Sequence, residues 1–314
     1  MHSHSHNHSH DHSHGHGHSH QHADPANIAQ GAFIAGIALN GAYVIVQVIT
    51  GFMTNSVALL SDAGHNLGDV AALALSLFAF RLAKVKPTHS FTYGYKKTTI
   101  LAALTNAVVL LLTIGMLAYE SITRLWHPEP VKGATVAWVA GLGIIINSVS
   151  ALLFFRTKDH DVNTKGAYLH LMTDALVSLG VVISGVIVYF TNWYILDPIV
   201  SIGVLIVIVA GTWSLLKDSL RLSLDAVPAD IDAEKILELI KKVKGVENAH
   251  HIHIWAMSTT ETALTAHVVI DKDIDFEAKM KVVHNIKHEL LHQNIQHATI
   301  EVESEEVPCE DEEC

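Results

Sequence analysis

Six long apolar stretches alternate with short polar connections at roughly 28–50, 56–80, 98–120, 133–155, 166–190 and 195–216. Each approaches the ~20 residues that a helix needs to cross ~30 Å of hydrocarbon. Buried helices of a large soluble bundle are the rival explanation. Runs of this length with hardly a charge, repeated in succession, favour membrane spans. From about residue 226 the pattern changes. Val227-Pro228-Ala229-Asp230 breaks the chain, and Ile236, Leu237, Ile240 and Val243 then fall on one helical stripe within 232–244. The stretches 247–255 and 261–270 read as strands, 276–291 as a helix and 298–302 as a last short strand. The expected fold is therefore mainly α: six transmembrane helices followed by a small α+β domain.

Loop charges orient the spans. The 81–97 connection carries Arg81, Lys84, Lys86, Lys96 and Lys97, the 156–165 connection carries Arg156, Lys158 and Lys165, and Lys217 and Arg221 follow the sixth stretch. The alternate connections are poorer: 51–55 and 191–194 have no Lys or Arg, and 121–132 has Arg124 and Lys132. Positive charge collects on the cytoplasmic side, which places both termini there. An even number of spans agrees.

Composition sharpens the division. Only 16% of the 314 residues are charged and half are hydrophobic, whereas soluble domains carry about 25% charge. The formal net charge of −11 removes nucleic acid as a partner. Cys309 and Cys314 are the only cysteines, too late in the chain for a disulfide framework. Histidine is the anomaly, with 24 in all and eleven among residues 1–22, alternating with Ser, Gly, Asn, Asp or Gln. That segment has no apolar residue after Met1, so it cannot bury a core. It also lacks the basic start and apolar middle of a secretory signal. Its interrupted pattern differs from a purification tag and reads as native. The expected organisation is a His-rich tail over 1–27, a membrane domain over 28–216, a cytosolic domain over 217–302 and an acidic Cys-containing tail over 303–314.

Ionisable groups inside membrane spans are costly and mark functional sites by default. The second stretch holds His65 and Asp69 in SDAGHNLGD, and the fifth holds His170 and Asp174 in YLHLMTD. Both are His-x3-Asp, and residues four apart lie on one helical face. Two such helices facing each other would supply an N2O2 donor set. That set suits tetrahedral Zn2+, with Cd2+ and Co2+ also possible, whereas Mg2+ and Ca2+ prefer more oxygens and Cu+ prefers sulfur. Local interhelical hydrogen bonds are the bland alternative, weakened by the repetition of the pair. Asp62 lies two turns before Asp69; it could attract cations toward the site or accept a hydrogen bond near the helix end, and the structural role is the one expected. Asn40, Gln47, Asn106 and Asn147 are expected to hydrogen-bond between helices.

These words, with TYGYKKTTILAALTNA, GVENAHHIHIW and ALTAHVVI, resemble the zinc-type bacterial branch of the cation diffusion facilitator family over most of 28–303. The resemblance implies a homodimer in the lipid bilayer, a transporter and not an enzyme, that exports cytosolic divalent metal in exchange for protons. It implies that His65, Asp69, His170 and Asp174 form the transport site and that the cytosolic domain is ferredoxin-like. By position it assigns His250, His267, Glu301 and Glu303 to a further cytosolic metal site, against which stands a reading as ordinary strand-surface polar residues. Strict alternation would place His251 and His253 on the opposite face from His250. Cys309 and Cys314 are candidate soft ligands from the tail. Some relatives also carry a metal site in the loop after the second span. Here Tyr95 and Lys96 depart from that pattern, so His89 is expected to be a solvated loop residue.

The mechanism follows from competition. Ligands must be deprotonated to hold zinc, and an unperturbed imidazole titrates near pH ~6.5. Other classes remain in view: a membrane-tethered metal sensor, which leaves the intramembrane pairs unexplained, and an intramembrane metalloenzyme. The latter finds no His-Glu-x-x-His and no open coordination position for a catalytic water. The compact architecture points to a bacterial inner membrane.

Overall fold

A computed structural model describes residues 25–155, 162–271 and 274–303. Six long helices come first: α1 (Pro25–Thr54), α2 (Val57–Ala83), α3 (Thr98–Trp126), α4 (Gly133–Phe155), α5 (Val162–Thr191) and α6 (Leu196–Ser223). Five of them, α2 to α6, contain stretches long and apolar enough to cross a membrane, and the Ala38–Thr54 part of α1 adds a shorter apolar stretch. Their outward residues are large and apolar, among them Phe52, Phe78, Leu112 and Leu152, as a lipid-facing surface requires. Trp126, Trp138 and Trp193 are exposed near the end of α3, the start of α4 and the α5–α6 connection, at one end of the bundle. Amphipathic rings in that position match a membrane interface.

Polar contacts register the helices. The α1–α2 turn closes with Asn55 at φ +55°, and Ser56 caps α2 by accepting from Leu59 N. Asp197, buried at the start of α6, accepts from Ser56 Oγ at 2.5 Å, Val57 N at 2.7 Å and Ala58 N at 3.2 Å. A carboxylate from one helix thus satisfies the free N–H groups that begin another. Ser201 on α6 bonds Ser61 on α2 at 2.7 Å and Ser121 on α3 at 2.6 Å. Between α4 and α5 the backbones nearly touch: a Cβ at Gly133 would lie 2.4 Å from Gly185 O, and one at Gly185 would lie 2.8 Å from Ala137 N.

The C-terminal domain follows the order α7 (Ala233–Lys241), β1 (Val246–Ala256), β2 (Thr262–Ile270), α8 (Phe276–His292), β3 (Ile295–Glu303). The sheet order is β1-β2-β3, with β1 antiparallel and β3 parallel to the central β2. Asp232 and Asp275 cap α7 and α8 by accepting from Lys235 N and Ala278 N. The Lys235 ammonium also bonds Asp232, which holds that carboxyl below its usual range. Ile236, Ile240, Ile286 and Leu290 from the two helices pack against Leu264, Ala266, Val268 and Ile270 of β2. This is the small α+β domain expected after the last span.

The loop after α2 and the start of α3 hold the two parts together. Lys96 pairs with Glu261 and Lys97 with Asp225, while Thr259 N donates to Thr99 Oγ1 at 3.0 Å. The Tyr93 ring meets His297 edge-on with centroids 5.3 Å apart. The β1–β2 turn therefore rests on the start of α3. His89 in the same loop is exposed and belongs to no group of three clustered His, Cys, Asp or Glu among the described residues.

Candidate metal sites

His65 and Asp69 stand one turn apart on α2, and His170 and Asp174 one turn apart on α5. The helices bring all four donor groups within 4.8 Å of one another. His65 Nε2 lies 3.0 Å from Asp174 Oδ1, and His170 Nε2 lies 3.1 Å from Asp69 Oδ2. Within each helix the separations are longer, 3.8 Å for His65–Asp69 and 3.6 Å for His170–Asp174. Asp174 is nearly sealed, with 3% of its side chain exposed, whereas His170 is 47% exposed. The group is thus buried on one flank and open on the other.

Behind it lies a polar knot. Asp62, fully buried, accepts from Gln47 Nε2 at 2.6 Å and from Ser178 Oγ at 3.2 Å. Gln47 also donates to Tyr43 OH and accepts from Asn66 Nδ2, and Tyr43 OH donates to Val139 O. Asp62 is three residues before His65 and Ser178 four after Asp174, so this bridge crosses α2 and α5 one turn beyond the donors. Asp62 and Gln47 form the hydrogen bonds expected of them. Asn147 does not: its side-chain N and O are buried without a hydrogen-bond partner among the described residues, and so is Asn40 Oδ1. Asp197, an acid beside Pro198 in an apolar stretch, is a further buried ionisable residue, and its place among apolar neighbours is the only mark it leaves in the sequence.

A second group lies on the C-terminal sheet. His250 and His267 are cross-strand partners on β1 and β2, and His267 is paired in register with Glu301 on β3. Glu303 links them, with Oε2 3.1 Å from His250 Nε2 and Oε1 2.6 Å from His267 Nδ1. Glu301 Oε2 is 3.5 Å from His267 Nε2, on a side chain 68% exposed. The alternation expected for His251 and His253 fails, since His253 pairs with Thr265 on the same face as His267. β1 slips register between His250 and His253, and His251 takes a left-handed φ of +46°. The bulge inserts an extra residue and turns the His251 ring onto the side of His250 and His267. Cys309, Cys314 and the His-rich segment lie outside the described residues.

Comparison with known proteins identifies the family. The cation efflux transmembrane domain profile matches residues 33–222, and the cation efflux protein cytoplasmic domain profile matches 228–305. The chain belongs to the cation efflux, or cation diffusion facilitator, family. The cadmium, cobalt and zinc/H(+)-K(+) antiporter of Bacillus subtilis is 36% identical over 84% of this chain and 85% of its own length. The metal cation efflux system protein CzcD of Cupriavidus metallidurans is 37% identical over 87% and 86%, and the zinc transporter ZitB of Escherichia coli 35% over the same shares. As a cation diffusion facilitator, the chain is an integral membrane transporter and not an enzyme. The family boundary between 222 and 228 falls where α6 ends and the C-terminal domain begins.

Proposed function

We propose that the protein exports Zn2+ from the cytosol in exchange for protons, using His65, Asp69, His170 and Asp174 as the transport site. One observation carries this reading: four N and O donors from two spans converge within 4.8 Å. Bonds of ~2.0–2.2 Å around tetrahedral zinc put neighbouring donors about 3.4 Å apart. The four N···O distances, from 3.0 to 3.8 Å, bracket that value. The two nitrogens and two oxygens favour zinc and admit Cd2+ and Co2+, the metals in the name of the Bacillus subtilis relative.

Proton exchange follows from the same atoms. When metal leaves, a proton on each imidazole completes a His–Asp ion pair across the helices. When metal binds, those protons must depart. Alternation between an inward and an outward opening then lets protons entering downhill drive zinc outward. Four tight donors argue against a channel, since fast conduction needs weak or multiple sites.

The remaining assignments extend this reading. Both termini face the cytoplasm, the membrane is a bacterial inner membrane, and the working unit is a homodimer, in keeping with the positive loops and the cytoplasmic-domain match. A second metal site surrounds His250, His267 and Glu303, with Glu301 at its edge. The His-rich segment is an accessory that collects metal. Zinc accumulation in inverted vesicles, with a pH gradient imposed and then collapsed, tests the transport function. Gradient-dependent accumulation is expected; binding without accumulation would instead indicate a tethered sensor.

A further inference from the structure

We propose that His251 is a ligand of the C-terminal metal site, so that the site is built from His250, His251, His267 and Glu303 and leaves Glu301 outside. This rests on the reading of that sheet as a metal site and specifies its donors.

Three observations meet at His251. First, among the described residues the other non-glycine positions with positive φ are Asn55, Asn192, Asp225 and Asn294, all residue types that tolerate the left-handed region and none inside a strand. His251 holds φ +46° within β1. Backbone strain of this kind persists where the surroundings require it, and it gathers at functional sites.

Second, the strain has a consequence. The bulge brings His250, His251 and His267 together with potential donor nitrogens within 4.8 Å of one another. Without it, His251 would point through the other face of the sheet, as alternation requires.

Third, the spacing fits a shared ion. The ring centroids form a nearly equilateral triangle with sides of 5.1, 5.1 and 5.6 Å. A Zn–N bond of ~2.0–2.1 Å puts each centroid roughly 3.2 Å from the metal, so tetrahedral geometry separates centroids by about 5.2 Å. Glu303, with 9% of its side chain exposed and oxygens near both His250 and His267, can complete the set. Glu301, largely exposed, lies 3.5 Å from His267 Nε2 and clusters with His267 and Glu303 rather than with the three histidines. The N3O set is richer in nitrogen than the intramembrane site and suits Zn2+ and Co2+ rather than oxygen-preferring cations.

Residue-resolved histidine footprinting of the full chain in detergent tests this. Diethyl pyrocarbonate modifies free imidazoles, coordination blocks the reaction, and peptide mass spectrometry reads each position separately from the His-rich segment. As Zn2+ is titrated, His250, His251 and His267 should become protected together while exposed His253 stays reactive. His251→Asn, which tolerates the left-handed backbone, should raise the zinc needed to protect His250 and His267 by about tenfold or more. Glu301→Gln should change it by less than about twofold. Protection of His250 and His267 with His251 as reactive as His253 would overturn the proposal while leaving the second metal site standing. A larger effect of Glu301→Gln than of His251→Asn would overturn it likewise. Failure of zinc to protect any of the three would overturn both.

Discussion

His65 and Asp174 meet across α2 and α5 at 3.0 Å, closer than either lies to its acidic or imidazole partner on its own helix. The donor group is therefore closed between helices, and its geometry depends on how α2 and α5 are held. Asp174, buried at 3% exposure, stands at the closed flank. Asp174→Ala should lower zinc flux by about a hundredfold or more, a loss of roughly 2.7 kcal/mol, while the protein remains folded and inserted. Flux from reconstituted vesicles and gel filtration of the same preparation check it; near-normal flux would remove Asp174 from the site.

Selectivity should follow the donor set. His65→Asp converts N2O2 to N1O3, a harder site, and should weaken discrimination in favour of zinc. Competition of Zn2+ against Cd2+ and Mn2+ in flux assays measures this. An unchanged order of preference would mean that His65 does not set it.

The membrane helices and the four converging residues were legible because both carry strong periodic signals. Long uncharged runs have few soluble explanations, and His-x3-Asp aligns donors whatever the surroundings. What escaped depends on contacts between distant segments. Asp197 caps a helix that begins 140 residues earlier in the chain, and no local pattern reports such a bond. His251 escaped because alternation assumes a regular strand, and one inserted residue reverses its face. Similarly, β3 starts at Ile295 rather than near 298, since its first residues are shaped by pairing with β2.

The α4–α5 contact offers a stability test away from the donors. A side chain at Gly185 would press on Ala137 N and Gly133 O, backbone atoms that cannot swing aside. Gly185→Ala should destabilise the protein by about 1–3 kcal/mol, the usual cost of overpacking. Gly203→Ala, with open space around its new methyl, serves as the control and should hold or slightly gain stability. Thermal unfolding in detergent reads both; equal melting temperatures for the two variants would contradict the close packing.

Deleting residues 2–22 removes eleven imidazoles but none of the intramembrane donors. Maximal zinc flux should stay within about twofold, while flux at scarce zinc should fall further because a tethered pool of weak ligands raises local metal concentration. Flux against free zinc for both forms decides it. A collapsed maximum would make the segment part of the transport step, and identical curves would deny it a delivery role.

Coupling between zinc and protons at the intramembrane site is most directly tested by driving the exchange backwards. Purified protein is reconstituted with a pH-sensitive dye inside the vesicles, the membrane potential is clamped, and zinc is added outside with no pH gradient present. Inward zinc movement should alkalinise the lumen as protons leave, and Asp174→Ala should abolish both signals together. Zinc entry with no change in lumenal pH would contradict proton exchange.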